Sequence, residues 1–429
     1  MKENIILTKK DRSVNGTIQL TGSKSECNRA LIIEALSGGK VTVENVSDAA
    51  DTVTLAQALL RSEVGSRKSE ANDSELKTED LRLVNIGPAG TAMRFLTAYF
   101  TLQDEEVILT GSERMKQRPI GILVDALREI GASIDYAENE GFPPLKIKGR
   151  FEQQKDTISI KGDISSQYIT ALLLVASQLP QGLALKIEGE LTSKPYVEMT
   201  LAMLQQAGIR HQWEGNNIHI AKQDFKETTL YVEPDWSAAS YWYAIAALAD
   251  EAELFLPGLT AYSLQGDSVI TEIMANFGIT SQFKNGGVYL KKEAKPLHRK
   301  IFDMKSCPDL AQTVIVVCAA LGHDATFTGL ETLKIKETDR VKALQNELAK
   351  IGVKLIEKGR VYKLDCSEKH IPEKVFINTY DDHRMAMAFA PLALVVPEVE
   401  IEDYMVVEKS YPAFWEDLKK AGFEVKGER

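Results

Sequence analysis

Residues 22–36 read GSKSECNRALIIEAL, a polar loop with one lysine that continues directly into a helix of small and apolar residues. The helical part has little polar surface, which predicts a buried helix. Three side chains near its start can cap the unpaired amide groups of the first turn: Ser23, Ser25 and Asn28. Lys24 and Arg29 put positive charge at the positive end of the helix dipole, which lowers stability unless an anion binds there. Taken alone, the stretch fits a capped helix with a surface lysine better than an anion site.

The same pattern, a polar start followed by a small and apolar helix, occurs six times along the chain. The five later copies read GTAMRFLTAYF from Gly90, SSQYITALLLVAS from Ser165, DWSAASYWYAIAAL from Asp235, PDLAQTVIVVCAAL from Pro308 and DHRMAMAFAPLALV from Asp382. Equivalent positions are Asn28, Thr91, Gln167, Ser237, Leu310 and Arg384, and successive positions are 63, 76, 70, 73 and 74 residues apart. The spacing predicts six modules of about seventy residues, which is longer than short solenoid repeats.

A second, amphipathic helix that ends at a glycine follows five of the six buried helices. The five glycines are Gly131, Gly208, Gly278, Gly352 and Gly422, each before a β-like run. Glycine at this position predicts a left-handed residue just past the helix end. The first copy has TVTLAQALLRSEV instead, and the charged run 61–80 after it predicts a solvated surface loop.

Short β-like runs separate the helices: KVTVENV, EEVILTG, TISIKGD, LALKIEG, AELFLPG and ATFTGL. Each module therefore reads as strand, buried helix, strand, amphipathic helix and strand, which indicates an α/β fold. A chain of 429 residues is too long for a single core. Three modules per domain give two domains of ordinary size.

The composition limits the partners of the chain. Its 51 lysines and arginines against 61 aspartates and glutamates give a net charge of −10, which disfavours nonspecific nucleic-acid binding. Its four cysteines lack a CxxC pair and are expected to be buried, reduced thiols. The start MKENIILTKK lacks the apolar core of a signal peptide, and the longest apolar run, Met385–Val396, has 12 residues. We therefore expect a cytoplasmic protein without a membrane or nucleic-acid partner.

Basic residues gather in the polar loops at the helix starts: Lys24, Arg29, Arg94, Arg118, Lys336, Arg340, Arg384 and Lys409. On an acidic protein, such a set argues for ligands that carry several negative charges. Two acids lie among these bases, Asp309 at a helix start and Glu337 within LKIKETDR. A carboxylate among cations that lies near a substrate can exchange protons with it. A solvated helix start capped by Thr338 explains KIKETDRVKAL about equally well.

Nine motifs closely resemble, in the same order, those of the enolpyruvyl transferases that act on shikimate-3-phosphate: GSKSECNRAL, AGTAMR, ERMKQRPIG, GDISSQY, SKPYV, PDLAQT, KIKETDR, DDHRMAMA and VEKSYPAFW. They extend over nearly the whole chain. The resemblance implies a two-domain inverse α/β barrel with three modules in each domain and the active site in the cleft between the domains. It also implies that the N-terminal strand returns to the C-terminal half, so that one domain comprises 1–21 with 236–429 and the other 22–235.

The resemblance implies transfer of the enolpyruvyl group of phosphoenolpyruvate to the 5-hydroxyl of shikimate-3-phosphate, with release of phosphate. Both substrates are polyanions, as the basic loops require. The residues implied for shikimate-3-phosphate are Lys24, Ser25, Arg29, Ser165, Ser166, Gln167, Ser193, Tyr196, Asp309, Thr332 and Lys336. Those implied for phosphoenolpyruvate are Lys24, Gly90, Arg118, Gln167, Arg340, Arg384 and Lys409.

The implied catalytic residues are Asp309, Glu337 and Lys24. Asp309 would act as the base on the 5-hydroxyl, and Glu337 would give a proton to the methylene carbon of phosphoenolpyruvate and take one back at elimination. Closure of the two domains would exclude water. The resemblance implies a monomer that needs neither a metal nor a cofactor, and His383 beside Asp382 is interpreted as structural.

Two positions depart from the family pattern. Pro88 stands where asparagine is usual before Gly90, so this loop lacks a side-chain amide and a backbone donor. Thr332 stands where asparagine often contacts shikimate-3-phosphate. We expect both changes to alter local contacts with the substrates, but not the reaction, and we expect Pro88 also to alter how phosphoenolpyruvate mimics fit beside Gly90.

Three other functions fit parts of the pattern. The sister enzyme that transfers enolpyruvate to UDP-N-acetylglucosamine usually carries a cysteine before its Arg-Pro pair, whereas residues 113–119 read ERMKQRP here. It also resembles Lys-Asn in the first loop, where this chain has Lys24 and Ser25. A non-catalytic anion-binding paralogue is expected to lose Asp309 or Glu337, and both are present. A nucleic-acid end-processing enzyme on a related fold is disfavoured by the acidic charge and the missing nucleophilic histidine motif.

Overall fold

The computed structural model describes residues 3–68, 81–163, 165–294 and 297–427. The chain forms two compact units. Lys24–Val232 form the N-unit, and Met1–Ser23 together with Glu233–Arg429 form the C-unit. The chain therefore passes from one unit to the other twice, after Ser23 and after Val232.

The elements of the described residues follow the predicted order of helices and strands. The α-helices are α1 (Lys24–Leu36), α2 (Ala50–Lys68), α3 (Gly90–Phe100), α4 (Gly121–Glu129), α5 (Ser166–Ala176), α6 (Lys194–Gln206), α7 (Trp236–Leu248), α8 (Ile270–Ala275), α9 (Ala311–Leu321), α10 (Arg340–Ala349), α11 (His383–Phe389) and α12 (Phe414–Lys420). The short 3-10 helices are Met115–Gln117, Gly266–Val269, Pro308–Leu310, Glu331–Ile335, Ala390–Leu394 and Tyr404–Lys409. The strands are β1 (Ile5–Thr8), β2 (Ser13–Thr17), β3 (Val41–Glu44), β4 (Arg82–Asn85), β5 (Glu106–Thr110), β6 (Ser133–Tyr136), β7 (Leu145–Lys148), β8 (Thr157–Lys161), β9 (Leu183–Glu188), β10 (Gln212–Glu214), β11 (Asn217–Ile220), β12 (Thr228–Tyr231), β13 (Glu251–Pro257), β14 (Ile279–Lys284), β15 (Gly287–Lys292), β16 (Ile301–Asp303), β17 (Ala325–Thr328), β18 (Lys354–Lys358), β19 (Val361–Asp365), β20 (Lys374–Ile377), β21 (Glu398–Ile401) and β22 (Glu424–Gly427).

Six sheets are present within the described residues, one for each predicted module. Five of them have four strands in the same arrangement. In the order β4-β5-β7-β6, for example, β4 and β5 are parallel and the other neighbours are antiparallel. The sheet of the first module consists of the parallel pair β12 and β3. The strand arrangement thus repeats with the modules, which confirms the prediction of six α/β modules.

Three strands complete sheets whose other strands lie far away in the sequence. The N-terminal strand β1 pairs antiparallel with β21 and β22, and Leu7 lies opposite Val399. Strand β2 pairs in parallel with β13. Strand β12 pairs in parallel with β3, and Leu230 lies beside Val43. The first two strands therefore belong to sheets of the C-unit, and the third completes the first sheet of the N-unit.

The buried helices form the interior of each unit. In the C-unit, α7 and α11 both pack against α9, and every residue of α11 is buried. In the N-unit, α3 packs against α5. The strands alternate buried and exposed residues, as in β8, so each sheet covers the helices with one face and meets solvent with the other. Helices that are apolar on all faces need this complete enclosure.

The glycines predicted to end the amphipathic helices all have left-handed backbone angles. Their φ values are 115° at Gly131, 91° at Gly208, 81° at Gly278, 71° at Gly352 and 83° at Gly422. At Gly352 a Cβ atom would also lie 2.1 Å from the carbonyl oxygen of Glu368. The predicted helix ends are confirmed, and the physical reason is that only glycine adopts this angle without strain.

Two expectations about the first module were wrong. Helix α2 continues to Lys68, so residues 61–68 are helical instead of forming a loop. The rest of the predicted loop, 69–80, lies outside the described residues. Asn28 does not cap α1, because the helix begins at Lys24 and Asn28 lies one turn inside it. Its buried carboxamide accepts a hydrogen bond from the Thr52 hydroxyl on α2 at 2.9 Å.

Candidate active site

The C-unit brings together both predicted acids and four of the predicted bases. Each sits at or beside the start or end of a helix: Asp309 in the 3-10 helix before α9, Lys336 and Glu337 just before α10, Arg340 and Arg384 in the first turns of α10 and α11, and Lys409 at the end of the last 3-10 helix. The six side chains come from four segments of the chain and meet through direct ion pairs. Packing of α9, α10 and α11 against one another places these segments side by side.

Arg340 is the centre of this cluster. Its guanidinium lies 3.2 Å from Asp309 Oδ1, 2.9 Å from Glu337 Oε2 and 2.7 Å from Asp382 Oδ2, and its side chain is only 2% exposed. Burial by itself lowers the pKa of an arginine, but the three carboxylates, Asp382 foremost, outweigh it and raise the pKa of Arg340 above its usual value. Arg340 is therefore a permanent positive charge that holds the two predicted catalytic acids in place.

Asp309 lies among three cations, including Arg340, and Glu337 lies between two. Asp309 contacts Arg384 Nη2 at 3.0 Å through its second oxygen, and Lys336 Nζ lies 4.0 Å from its first. Glu337 contacts Lys409 Nζ at 3.1 Å through the oxygen that does not face Arg340. Both carboxylates remain partly accessible, at 16% and 14% exposure, whereas Arg340 is not. The cluster therefore contains two solvent-accessible acids that are both paired with the buried Arg340 cation.

Replacing Arg340 with methionine is expected to lower the free energy of unfolding by about 3 kcal/mol, because it removes the arginine partner of a buried carboxylate. Asp382 is completely buried and loses its closest cation in this variant. Urea denaturation of the variant and the wild type measures the change. Lys342→Met is the matched control, since Lys342 is exposed on the same helix. Equal unfolding free energies for Arg340→Met and the control would contradict the stabilising role of Arg340.

The turn before α11 fixes the position of Asp382 and Arg384. Tyr380 and Asp381 have left-handed φ values of 56° and 55°, which are strained for residues other than glycine. The Tyr380 hydroxyl donates to buried Glu347 on α10 at 2.7 Å and so ties the turn to that helix. Asp382 then caps α11 by accepting from the Arg384 amide at 2.9 Å. The strained turn is thus tied to α10 at Glu347 and leads directly into the capped start of α11.

In the N-unit, the predicted shikimate-3-phosphate residues lie at the starts of three helices that pack pairwise, α1, α5 and α6. They are Lys24, Ser25 and Arg29 on α1, Ser165, Ser166 and Gln167 at the start of α5, and Ser193 and Tyr196 at the start of α6. Ser165 caps α5 by accepting from the Gln167 amide, and Gln167 Nε2 lies 3.3 Å from the Thr91 hydroxyl on α3. Three helix starts thus place these polar side chains in one region of the N-unit.

Arg29 is a buried cation held by neutral groups. It donates to the hydroxyls of Thr200 and Thr170 and to the Ser25 carbonyl, and its guanidinium lies 5.6 Å from the Tyr196 ring centre. Burial lowers its pKa to about 10. No carboxylate within the described residues forms an ion pair with it. A buried cation without an ion pair favours an anionic ligand.

Gly90 and Arg118, both predicted to bind phosphoenolpyruvate, are in direct contact. A Cβ atom on Gly90 would lie 2.5 Å from Arg118 Nη1, so the guanidinium occupies the space that a side chain would fill. The carbonyl of Pro119, next to Arg118, accepts from the Tyr168 hydroxyl at 2.6 Å and from Arg94 Nη2 at 3.1 Å. Helices α3 and α5 therefore fix the backbone that carries Arg118.

Sequence reasoning missed several residues that contact the predicted site. They are Asp51, Thr91, Thr170, Thr200, Ser237, Tyr241 and Asp267, and also Asp382, which was seen only as a neighbour of His383. Asp51 pairs with Lys24 at 3.2 Å. Its position at the start of α2 was the one sequence feature that could have pointed to Asp51 as a site residue. Conversely, Thr332 makes no polar contact with the other site residues within the described part of the chain.

Within the described residues, no group of three or more histidine, cysteine or acidic side chains is arranged to hold a metal ion. No helix in this part of the chain has the length and hydropathy needed to cross a bilayer. All four cysteines are buried and form no disulfide, which confirms the prediction that they are buried, reduced thiols.

The chain is similar over nearly its full length to known transferases. The sequence profile of EPSP synthase (3-phosphoshikimate 1-carboxyvinyltransferase) matches residues 8–418. A 3-phosphoshikimate 1-carboxyvinyltransferase of Bacteroides fragilis is 46% identical over 415 residues, which cover 96% of this chain and 97% of that protein. One from Sodalis glossinidius is 37% identical, covering 94% of each chain.

Solved structures show the same fold at much lower identity. The EPSP synthase of Acinetobacter baumannii superposes with a TM-score of 0.74 at 19% identity and full coverage of both chains. The enolpyruvyl transferase NikO of Streptomyces tendae superposes with a TM-score of 0.71 at 15% identity, covering 100% of this chain and 99% of that one. The fold is therefore that of the enolpyruvyl transferases, as the motifs predicted. The chain belongs to the EPSP synthase (3-phosphoshikimate 1-carboxyvinyltransferase) family.

Proposed function

We propose that this chain transfers the enolpyruvyl group of phosphoenolpyruvate to the 5-hydroxyl of shikimate-3-phosphate and releases phosphate, a step of aromatic amino acid biosynthesis. The observation that carries the proposal is the cluster in which Asp309 and Glu337 are both paired with the buried Arg340. The reaction needs one base, one acid and several cations for polyanionic substrates. Family membership and the names of the relatives support the same substrates.

The proposed binding residues are assigned to the two substrates by their motifs and surroundings. For phosphoenolpyruvate we propose Lys24, Gly90, Arg118, Gln167, Arg340, Arg384 and Lys409. For shikimate-3-phosphate we propose Lys24, Ser25, Arg29, Ser165, Ser166, Gln167, Ser193, Tyr196, Asp309, Thr332 and Lys336. Arg29 supports the second assignment, because it is a buried cation that forms no ion pair with any carboxylate of the described residues. The contact of Gly90 with Arg118 supports the first, since both would touch the same small ligand.

The family resemblance gives each of the two acids a role in the proposed chemistry. Asp309 accepts the proton of the 5-hydroxyl, whose oxygen then bonds to C2 of phosphoenolpyruvate. Glu337 delivers a proton to the methylene carbon, so C2 becomes electrophilic and a tetrahedral ketal phosphate forms. Glu337 then takes a proton back from the new methyl group as phosphate departs with the electrons of its bond to C2, and this elimination forms the enol ether product. The cations around both acids stabilise the negative charge on carboxylate and phosphate in this step.

Replacing Gly90 with alanine is expected to raise KM for phosphoenolpyruvate about tenfold. The added methyl group displaces the Arg118 guanidinium and so weakens its charge-assisted hydrogen bond to phosphoenolpyruvate. The free energy of unfolding should change little, since the displaced atoms are the end of a flexible side chain. Steady-state kinetics and urea denaturation measure the two effects. Gly121→Ala is the matched control, because Gly121 also begins a helix and its Cβ would meet its nearest neighbour at 3.4 Å. An unchanged KM in Gly90→Ala would remove Arg118 from the proposed site.

A phosphate-release assay tests the proposed function. The wild-type protein is incubated with phosphoenolpyruvate and shikimate-3-phosphate, with each substrate alone, and with UDP-N-acetylglucosamine as acceptor. We expect phosphate release only with shikimate-3-phosphate, together with an enol ether product detected by proton NMR. Release only with UDP-N-acetylglucosamine would identify the sister activity, and no release with either acceptor would favour a non-catalytic anion-binding paralogue.

We further propose that the protein acts in the cytoplasm as a monomer without metal or cofactor. The four buried, unpaired cysteines support a reducing compartment. The acid and base of the proposed reaction are protein side chains, so the mechanism calls for no metal-bound water. Sedimentation of the purified protein tests the monomeric state.

A further inference from the structure

A buried carboxyl group that the proposed mechanism does not use lies beside Arg384. Asp267, in the 3-10 helix Gly266–Val269, is 3% exposed. Its Oδ2 accepts a short hydrogen bond from the Ser237 hydroxyl in the first turn of α7. Within the described residues, its Oδ1 has no hydrogen-bond partner. Burying a carboxyl with one oxygen unpaired is unfavourable, so this side chain needs a role beyond packing.

Ser237 links Asp267 to the proposed phosphoenolpyruvate site. Its hydroxyl oxygen lies 3.4 Å from Arg384 Nη2. The same Nη2 lies 3.0 Å from Asp309 Oδ2, and Nη1 lies 3.3 Å from the Tyr241 hydroxyl. The contacts therefore run from Asp267 through Ser237 and Arg384 to the proposed base Asp309.

The charge of Asp267 is sensitive to pH near neutrality. The groups that face it are Asp235, Ser237, Cys307, Asp309 and Arg384. Burial first, and then repulsion by Asp309, raise the pKa of Asp267 to about 7, against the opposing effect of Arg384. Burial also raises the pKa of the Cys307 thiol to about 12, so that neighbour stays neutral. Asp267 is consequently the group beside Arg384 whose charge changes across the neutral range.

We propose that Asp267 is a positioning residue that, through the Ser237 hydroxyl, holds the Arg384 guanidinium in the orientation that binds phosphoenolpyruvate. The inference rests on the proposed function of Arg384. An ionised Asp267 accepts a hydrogen bond from the Ser237 hydroxyl, which leaves the serine oxygen free to accept a second hydrogen bond from Arg384. A protonated Asp267 can donate to that same oxygen and compete with Arg384. The holding effect is therefore stronger above neutral pH than below it.

Three variants and two pH values test the proposal by steady-state kinetics. Asp267→Asn keeps the shape of the side chain and removes its charge, and Ser237→Ala removes the link. We expect each to raise KM for phosphoenolpyruvate about tenfold at pH 8, with a much smaller change in kcat, and Asp267→Asn to raise it less than about threefold at pH 6. The ratio of variant to wild type cancels the ionisation of the substrate itself. Ser268→Ala, beside Asp267 and outside the chain of contacts, is expected to behave as the wild type.

Thermal unfolding separates positioning from a structural role. The folded protein keeps the Asp267 proton up to about pH 7, whereas an unfolded aspartate releases it near 4. The contribution of Asp267 to stability is thus complete below about pH 4 and is lost as the pH rises through 7. Asp267→Asn should therefore gain stability relative to the wild type between pH 5 and pH 8, so a weakened KM at pH 8 cannot come from unfolding. A KM ratio that is equal at both pH values would overturn the proposal, as would a loss confined to kcat or to stability.

A binding measurement keeps this test independent of the proposed reaction. If the wild type released no phosphate with shikimate-3-phosphate, the proposed function would fail, and the positioning of Arg384 could still be measured with inorganic phosphate as the probe. Isothermal titration at pH 8 should then give about tenfold weaker phosphate binding for Asp267→Asn and Ser237→Ala than for the wild type and Ser268→Ala. Equal phosphate affinity in all four proteins would reject the inference.

Discussion

The Glu337→Gln variant is expected to release phosphate from the two substrates about 10² to 10⁴-fold more slowly than the wild type, because an amide cannot deliver a proton to the methylene carbon. Glutamine keeps the size of the side chain between Arg340, 2.9 Å away, and Lys409, 3.1 Å away. Lost proton transfer is therefore the main effect. The measurement is kcat at saturating concentrations of both substrates.

A matched control and an isotope experiment sharpen this prediction. Glu331→Gln changes an exposed glutamate in the 3-10 helix just before Glu337 and should keep kcat near the wild-type value. In heavy water Glu337 carries a deuteron and transfers it to the methylene carbon, which becomes a methyl group in the tetrahedral intermediate. The wild-type product should therefore carry deuterium. Glu337→Gln should lose this exchange together with kcat. Near-native turnover with normal deuterium incorporation would show that another group supplies the proton.

The Asp309→Asn variant is expected to lose about 10² to 10⁴-fold in kcat for a different reason, the loss of the base that accepts the 5-hydroxyl proton. Asp309 lies 3.2 Å from Arg340 and 3.0 Å from Arg384. Asparagine also brings an amide group next to these two cations. We therefore expect KM for phosphoenolpyruvate to change as well, as it should in Glu337→Gln, where the amide lies beside Arg340 and Lys409.

The control for this variant is Asp303→Asn, an exposed aspartate at the end of β16 that contacts Lys305 and Thr328 outside the cluster. It should retain kcat. The pH dependence of kcat gives a second measure, because a general base should make wild-type kcat rise with pH, and Asp309→Asn should lack this rise. An Asp309→Asn variant with a native pH profile would assign the base to another residue.

The repeated modules could be predicted from the sequence because they depend on local chemistry. The small, apolar segments predict buried helices, and a glycine that ends an amphipathic stretch predicts a helix end, because glycine adopts positive φ without strain. The helix starts also carried the bases that the structure places around Asp309 and Glu337. Motifs of the enolpyruvyl transferases then identified the family, which the profile match over residues 8–418 confirmed.

Other features depend on which segments pack together, and no local pattern specifies this. Asp51 reaches Lys24 because α2 packs on α1, and Asp382 reaches Arg340 because α10 packs on α11. Strands β1, β2 and β12 join sheets formed by distant parts of the chain. The extension of α2 to Lys68 likewise ran against a charged, weakly apolar sequence.

The sequence by itself determined the six modules, the buried and amphipathic faces of their helices, and the residue types available for binding anions. The tertiary structure decided which distant base pairs with which acid. It also decided that Asp267, far from Arg384 in the sequence, is linked to it through Ser237. The physical reason is one of range. Helix periodicity, capping and the local pair of Glu337 with Arg340 act over a few neighbouring residues. The pairs of Arg340 with Asp309 and Asp382 join residues far apart in the sequence, and the packing of complete helices brings them within 4 Å.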